Sequence, residues 1–311
     1  MPCFSYMQVY DGNERRTVME KQSFHSASLI SENTWRISEA GMVSCYLAIG
    51  TKKALLIDTG CGLGNLKDAV SEITSLPVEV VLTHMHPDHA GGIYHFTDYS
   101  VSKDDFDLTY SIFSLPIFSR VMIQGAKIKN PEMPPLFSHS NRHPIENGQI
   151  FDLGDRVIQA MAVPGHTKGS MAFIDSFQKL IFTGDDCNPS LWMHLPGCTG
   201  LKTWQVGARQ ILNMLKLGYT GWDGHSNEAQ TASQVQRIWD LAEELMAGAN
   251  NHTLDPKLSC IPSEDVLPQI RYSFSNEKGF VSDPAESPSD LTFAKPLMFL
   301  FFRTVQMSMK Q

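Results

Sequence analysis

Four side chains that commonly bind metal ions fall within six residues of one another in Thr83-His84-Met85-His86-Pro87-Asp88-His89-Ala90-Gly91-Gly92. They are His84, His86, Asp88 and His89, and they follow the apolar run 78–83 (VEVVLT), which reads as a short buried strand. A strand end is a rigid platform. The loop leaving it can turn several side chains inward together, and Pro87 discourages a continuing helix. Imidazole and carboxylate donors suit zinc, iron or manganese. The neighbours Asp88 and His89 can diverge enough to serve a second ion, and Gly91 and Gly92 permit tight backbone geometry beside them. A lone histidine is more often a surface or satisfied core residue than a ligand. The pattern H-x-H-x-D-H directly after a buried strand is too specific for that reading.

Three further candidates stand where the other half of a site needs them. His166 lies in Val163-Pro164-Gly165-His166-Thr167-Lys168-Gly169-Ser170, Asp185 in Phe182-Thr183-Gly184-Asp185-Asp186, and His225 in Asp223-Gly224-His225-Ser226. Each sits beside glycine at the end of an expected element, where a side chain can enter a site. By contrast, His139 and His143 read as exposed, and His194 as a surface or packing residue. Trp192 and Met193 are expected to line the pocket.

The elements that must position these residues alternate between strand and helix. Residues 42–49 (MVSCYLAI) and 53–58 (KALLID) read as strands, and 64–75 as an amphipathic helix carrying Leu66, Ala69, Val70 and Ile73 on one face. Strands at 149–153, 157–163, 171–175 and 179–183 follow as an antiparallel meander. Segments 201–217 and 228–248 read as helices with continuous apolar faces. The mixture predicts an α/β fold. Residues 103–147 break the rhythm and read as a partly helical insertion over the site rather than a core element. Their aromatic residues could wall an acyl or lactone pocket, though apolar residues at such spacing more often pack the core. The expected division is a main domain over 1–249 and a tail of unassigned role over 250–311, where six prolines from Pro256 to Pro296 interrupt any long periodicity.

Composition narrows the class. The 311 residues are 42% apolar and 19% charged, ordinary for a globular protein, and the net charge of −8 argues against a nucleic-acid partner. The Lys127-Ile128-Lys129 cluster is too small to reverse that. The first sixteen residues carry no apolar signal-peptide core, and the run Leu297–Phe302 is too short to span a bilayer. The six cysteines have no C-x-x-C spacing and read as reduced thiols. A cytoplasmic enzyme acting on a small molecule, without membrane attachment, is the expectation. The sequence does not speak to its oligomeric state.

In order, T-H-x-H-x-D-H-x-G-G, P-G-H-T-x-G-S, F-T-G-D and G-H resemble the metallo-β-lactamase superfamily, and Leu56-Ile57-Asp58-Thr59-Gly60 matches that family's first motif. The resemblance covers roughly residues 30–245. It implies a four-layer αββα sandwich with metals at one edge. It assigns His84, His86 and His166 to a first metal, Asp88, His89 and His225 to a second, and Asp185 to a position between them. Asp58 would orient a ligand from behind, and Asp88 would also accept a proton. Two divalent ions, zinc first and iron or manganese as alternatives, would supply a metal-bridging hydroxide that cleaves an ester, thioester or lactone. Asp185 directs the resemblance toward the glyoxalase-II-like and lactonase-like branch, although the tail lacks the basic helix that a glutathione thioesterase carries. Alternatives are a phosphodiesterase or nuclease of the same fold, a one-iron persulfide dioxygenase-like oxidoreductase, and a binding protein that has lost catalysis. The full set of seven ligands argues against the last.

Overall fold

A computed structural model of the chain describes residues 24–108, 140–193, 195 and 197–247, together with the backbone of four strands outside these ranges. Two of those strands, β1 (Tyr6–Asp11) and β2 (Glu14–Met19), pair antiparallel with each other.

A seven-stranded sheet contains, in spatial order, β3 (His25–Ser31), β4 (Thr34–Glu39), β5 (Val43–Ile49), β6 (Ala54–Ile57), β7 (Val78–Val81), β8 (Asp98–Ser102) and β9 (Asn141–Ile145). Pairing is antiparallel from β3 to β6 and parallel from β6 to β9. The second sheet holds β10 (Ile150–Asp152), β11 (Val157–Ala162), β12 (Met171–Asp175) and β13 (Leu180–Gly184). After a short β14 (Ser190–Trp192) outside it, β15 (Thr220–Asp223) joins beside β13. Its pairs are antiparallel except the parallel β13–β15. The helices are α1 (Leu66–Ile73), the single turn α2 (Pro87–Ala90), α3 (Leu201–Lys216) and α4 (Ala232–Met246).

Strand periodicity makes the layers. Along β5, Cys45 and Leu47 face one way and Tyr46 and Ala48 the other, all buried. Tyr46, Leu55, Ile57 and Val81 meet Phe151, Ile158, Phe173 and Phe182 between the sheets. The opposite face of the first sheet packs on Leu66 and Val70 of α1. Ala172, Ile174 and Ile181 of the second sheet pack against Trp204, Ile211, Val235 and Ile238 of α3 and α4. Strands covered on both faces must be apolar throughout, which is why β5, β6, β12 and β13 read as unbroken runs. The result is the expected αββα sandwich. Local chemistry fixes the helix starts: the Asn65 side chain caps α1, and Thr231 with Gln234 forms a capping box on α4.

Two expectations change, and part of a third segment is placed. Residues 141–145 do not belong to an insertion outside the core; they form β9, the sheet's edge strand, where Pro144 is tolerated because an edge residue can go without a donor. Pro87 does not merely stop a helix; it opens the turn α2 at its first position, where its missing N–H has no partner to lose. Within the expected tail, β16 (Ile270–Ser275) and β17 (Gly279–Pro284) pair with each other, and β17 pairs with β14, tying this part of the tail to the main domain. The bulk of the expected insertion, 109–139, and the rest of the tail lie outside the described residues.

Candidate metal centre

The strand directions bring the candidates together. β6, β7 and β8 run parallel, as do β13 and β15, and β11 shares the direction of β13 through two antiparallel steps. Asp58 follows β6, His84 to His89 follow β7, His166 follows β11, Asp185 follows β13 and His225 follows β15. All these loops leave C-terminal strand ends at one edge of the sandwich, and the backbone there is joined directly, with Met171 N–H donating to the Thr83 carbonyl at 2.9 Å.

All seven predicted ligand residues meet there. Among the described residues they form two groups, His84, His86 and His166, and Asp88, His89, Asp185 and His225, with the donor atoms of each group within 4.8 Å of one another. In the first, His86 Nδ1 stands 3.1 Å from His84 Nε2 and 2.9 Å from His166 Nε2. In the second, His89 Nε2 stands 3.2 Å from Asp185 Oδ1, and His225 Nε2 stands 3.2 Å from Asp185 Oδ2 and 3.5 Å from Asp88 Oδ2. The groups abut: the His84 and His89 ring centroids are 4.1 Å apart, and Asp185 Oδ2 lies 3.6 Å from His166 Nε2. His84, His86, His89, His166 and Asp185 are buried, Asp88 is half-buried, and His225 forms the open rim.

The outer nitrogens of four histidines are tied to oxygen. His89 Nδ1 donates to Asp58 Oδ2 at 2.9 Å, His166 Nδ1 to the Trp192 carbonyl at 2.9 Å, and His225 Nδ1 to the Met42 carbonyl at 2.9 Å. His84 Nδ1 meets Thr83 Oγ1 at 3.0 Å, and that hydroxyl donates to Asp58 Oδ2 at 2.8 Å, so the ring donates to the hydroxyl. Such bonds fix ring orientation and leave the inward Nε2 atoms as lone-pair donors. His89 Nε2 and Asp185 Oδ1 are fully buried and face each other without hydrogen-bond geometry. Leaving such atoms unsatisfied costs on the order of 1–3 kcal/mol each. Converging, desolvated and pre-oriented donors fit divalent cations.

The charge pattern follows from this crowding. Burial holds the His84 imidazole well below its ordinary pKa, reinforced by His89, His86 and His166, and burial with His86 brings His166 down to about 3. Burial also opposes the charge on His89 and His225, but Asp185 and Asp88 outweigh it for both, with Asp58 adding to the effect on His89. His89 rises well above its usual range and His225 reaches about 9. Burial opposes ionisation of Asp185, yet His225 and His89 hold its carboxyl well below the usual carboxylate range.

Four buried carboxylates that carry no sequence signal brace the ligand loops. Asp105 accepts from Met85 N, Thr167 Oγ1 and Gly169 N. Asp186 accepts from His166 N at 3.2 Å, and burial pushes its carboxyl up. Asp223 accepts from the backbone of His225 and Ser226. Glu39 accepts from Cys61 N and Leu63 N in the glycine-rich turn that follows Asp58. Only strand assignment could have hinted at them, since each lies near a strand end. Among the other candidates, His143 is exposed and bonds Asp98 at 2.9 Å, as expected. Met193 is fully buried in the core under α3 and does not line a pocket, and Trp192 acts on the site through its carbonyl. His139, His194 and the 127–129 cluster lie outside the described residues.

The chain has the metallo-beta-lactamase superfamily fold: the sequence profile of that superfamily matches residues 38–185. With both ligand groups in place, it is a metal-dependent hydrolytic enzyme. It is 28% identical over 235 residues to the acyl-coenzyme A thioesterase MBLAC2 of Gallus gallus, covering 69% of this chain and 82% of that one. It is also 28% identical over 219 residues to the atrochrysone carboxyl ACP thioesterase nsrC of Aspergillus novofumigatus, covering 65% of this chain and 59% of the fungal one. In three dimensions it is similar to a metallo-beta-lactamase from Pontibacter korlensis, with a TM-score of 0.52 at 17% identity over 70% of this chain and 99% of the other. No helix among the described residues is long and apolar enough to cross a membrane.

Proposed function

We propose that the chain is a dinuclear hydrolase of acyl thioesters. His84, His86 and His166 would hold one ion, Asp88, His89 and His225 would hold the other, and Asp185 would serve both. The observation that carries this reading is the position of Asp185, whose Oδ1 faces His89 while Oδ2 faces His225 and His166. Zinc is the proposed ion because the donors mix imidazole with carboxylate; iron and manganese accept the same set. When bound, the ions acidify a water toward hydroxide near neutral pH and polarise the carbonyl of the acyl group.

The protein's own part is geometry and proton handling. Asp58 and the Met42 and Trp192 carbonyls hold the rings. Asp88, at the half-buried side of the second group, accepts the proton as water attacks the acyl carbon, and returns it to the departing thiolate as the C–S bond breaks. The products are a carboxylic acid and a free thiol. The thioester choice draws on the two thioesterase relatives, and the ester-type chemistry on the fold and ligand groups together.

The test is metal quantification on the purified chain alongside an acyl-coenzyme A, a lactone, a β-lactam and a phosphodiester. The expected result is two equivalents of metal and thioester turnover that a chelator abolishes and added zinc restores. Turnover of the phosphodiester alone, or thioester turnover that survives complete metal removal, overturns the proposal.

A further inference from the structure

The loops of the first group meet through one buried carboxylate outside the ligand set. Asp105 closes the helical turn that follows β8 and is 0% exposed. Its Oδ2 accepts from Met85 N at 3.1 Å, the peptide between His84 and His86, and from Thr167 Oγ1 at 2.8 Å, the residue after His166. Its Oδ1 accepts from Gly169 N at 2.7 Å, three residues past His166. No lysine or arginine among the described residues forms an ion pair with it. A buried carboxylate without a cation is costly unless hydrogen bonds satisfy it. Here three donors converge on both oxygens, and only a carboxylate offers acceptors alone on two atoms. Gly169 is shaped by the same contact: a Cβ there would lie 2.5 Å from Asp105 Oδ1 and 2.6 Å from its Cγ.

We infer that Asp105 is a positioning residue that clasps the His84–His86 loop to the His166 loop and so sets the spacing of the three-histidine group. It reaches nothing in the Asp88, His89, Asp185 and His225 group by any of these bonds, so its effect is selective for one ion. The inference rests on the two-metal reading above.

Cobalt(II) titration of the full chain, followed by its visible absorption and by competition with a chelator, tests both separately. Wild type is expected to take two equivalents. Asp105→Ala is expected to weaken one of them at least tenfold, the scale on which outer partners tune metal affinity, with the other within threefold, kcat lowered and KM within twofold. Thr167→Val, which removes one of the three donors, is expected to weaken the same ion by about tenfold, the lower end of that scale. Wild-type affinity for both ions in Asp105→Ala, or equal weakening of both, overturns the clasp while leaving the dinuclear reading intact. Should Asp105→Ala fail to fold, wild-type affinity in Thr167→Val overturns it. Fewer than two equivalents in wild type overturns the dinuclear reading and the clasp with it.

Discussion

Asp58 receives three donors, Thr83 N at 2.7 Å, Thr83 Oγ1 and His89 Nδ1, and through Thr83 it also steadies His84. One carboxylate thus orients a histidine in each group. Its backbone sits at φ +64°, a region asparagine tolerates, so Asp58→Asn keeps the turn and changes only the acceptor. Metal affinity and kcat/KM are expected to fall about 10- to 100-fold, with the thermal midpoint nearly unchanged; metal content after dialysis checks this, and unaltered content refutes it. Protonation separates the two groups as well. In the metal-free protein His225 keeps its proton up to about pH 9 and His89 is likewise raised, whereas His166 takes one only near pH 3 and His84 is also held low. A raised group must shed its proton before it can ligate. Lowering the pH from 9 therefore weakens the second group first, and its ion leaves at mildly acidic pH while the three-histidine group retains its own. Calorimetry in buffers of different ionisation enthalpy is expected to detect proton release on binding the second ion near pH 7.5 and little on binding the first. At this scale the seven candidate ligands that converge in space are legible in sequence, because clustered ligand types beside glycine are rare. Asp105, Asp186, Asp223 and Glu39 are not, because a loop carboxylate looks the same whether solvated or buried.

At the level of elements, the site depends on loops that bend sharply at strand ends. Gly224 follows β15, and a Cβ there would lie 2.5 Å from His89 Cε1 and 2.9 Å from Asp185 Oδ1. Those neighbours are ligand side chains that can shift, so Gly224→Ala is expected to fold and lose the second ion. Gly91, just past α2, faces the backbone of Cys61 and Pro87, which cannot move aside. Gly91→Ala is therefore expected to lower stability itself, by about 1–3 kcal/mol. Thermal melts combined with metal analysis distinguish the two; the reverse pattern would show that the wrong neighbours have been judged soft. Legibility follows burial here too. β5, β6, β7, β12 and β13 are apolar runs and stand out, and so do α3 and α4. β8 (DYSVS) and β9 (NRHPI) are polar or proline-bearing, so the sequence hides two parallel strands of the first sheet, and with them the turn that places Asp105. β3 hides because Ser26, Ala27, Ser28 and Leu29 are all exposed, which leaves it no alternating buried face.

Across the whole molecule, the two sheets are fastened at opposite ends by different chemistry. At one edge the candidate ligand loops of both sheets converge, and Met171 N–H donates to the Thr83 carbonyl. At the other, the buried Arg156 guanidinium binds Asp175 at the end of β12 through Nε at 2.8 Å and also through Nη2. The same guanidinium donates to Thr34 Oγ1 at 2.8 Å and to the Asn33 carbonyl at 3.2 Å, both in the first sheet's β3–β4 turn. Sequence patterning predicts the αββα layers because each face has its own apolar period, but it does not disclose this clamp, whose partners come from three separate turns. Removing one partner of a buried pair leaves a desolvated charge, so Asp175→Ala is expected to cost about 3–5 kcal/mol. Because the clamp sits at the far end of β12 from the Met171–Thr83 contact, the seven ligands keep their neighbours. Below its lowered melting temperature the variant is expected to bind wild-type amounts of metal and to retain kcat. A variant that folds but has lost metal would mean that the two ends of the sandwich are mechanically coupled, and that the site owes its geometry to the packing of both sheets rather than to the loops at its own edge.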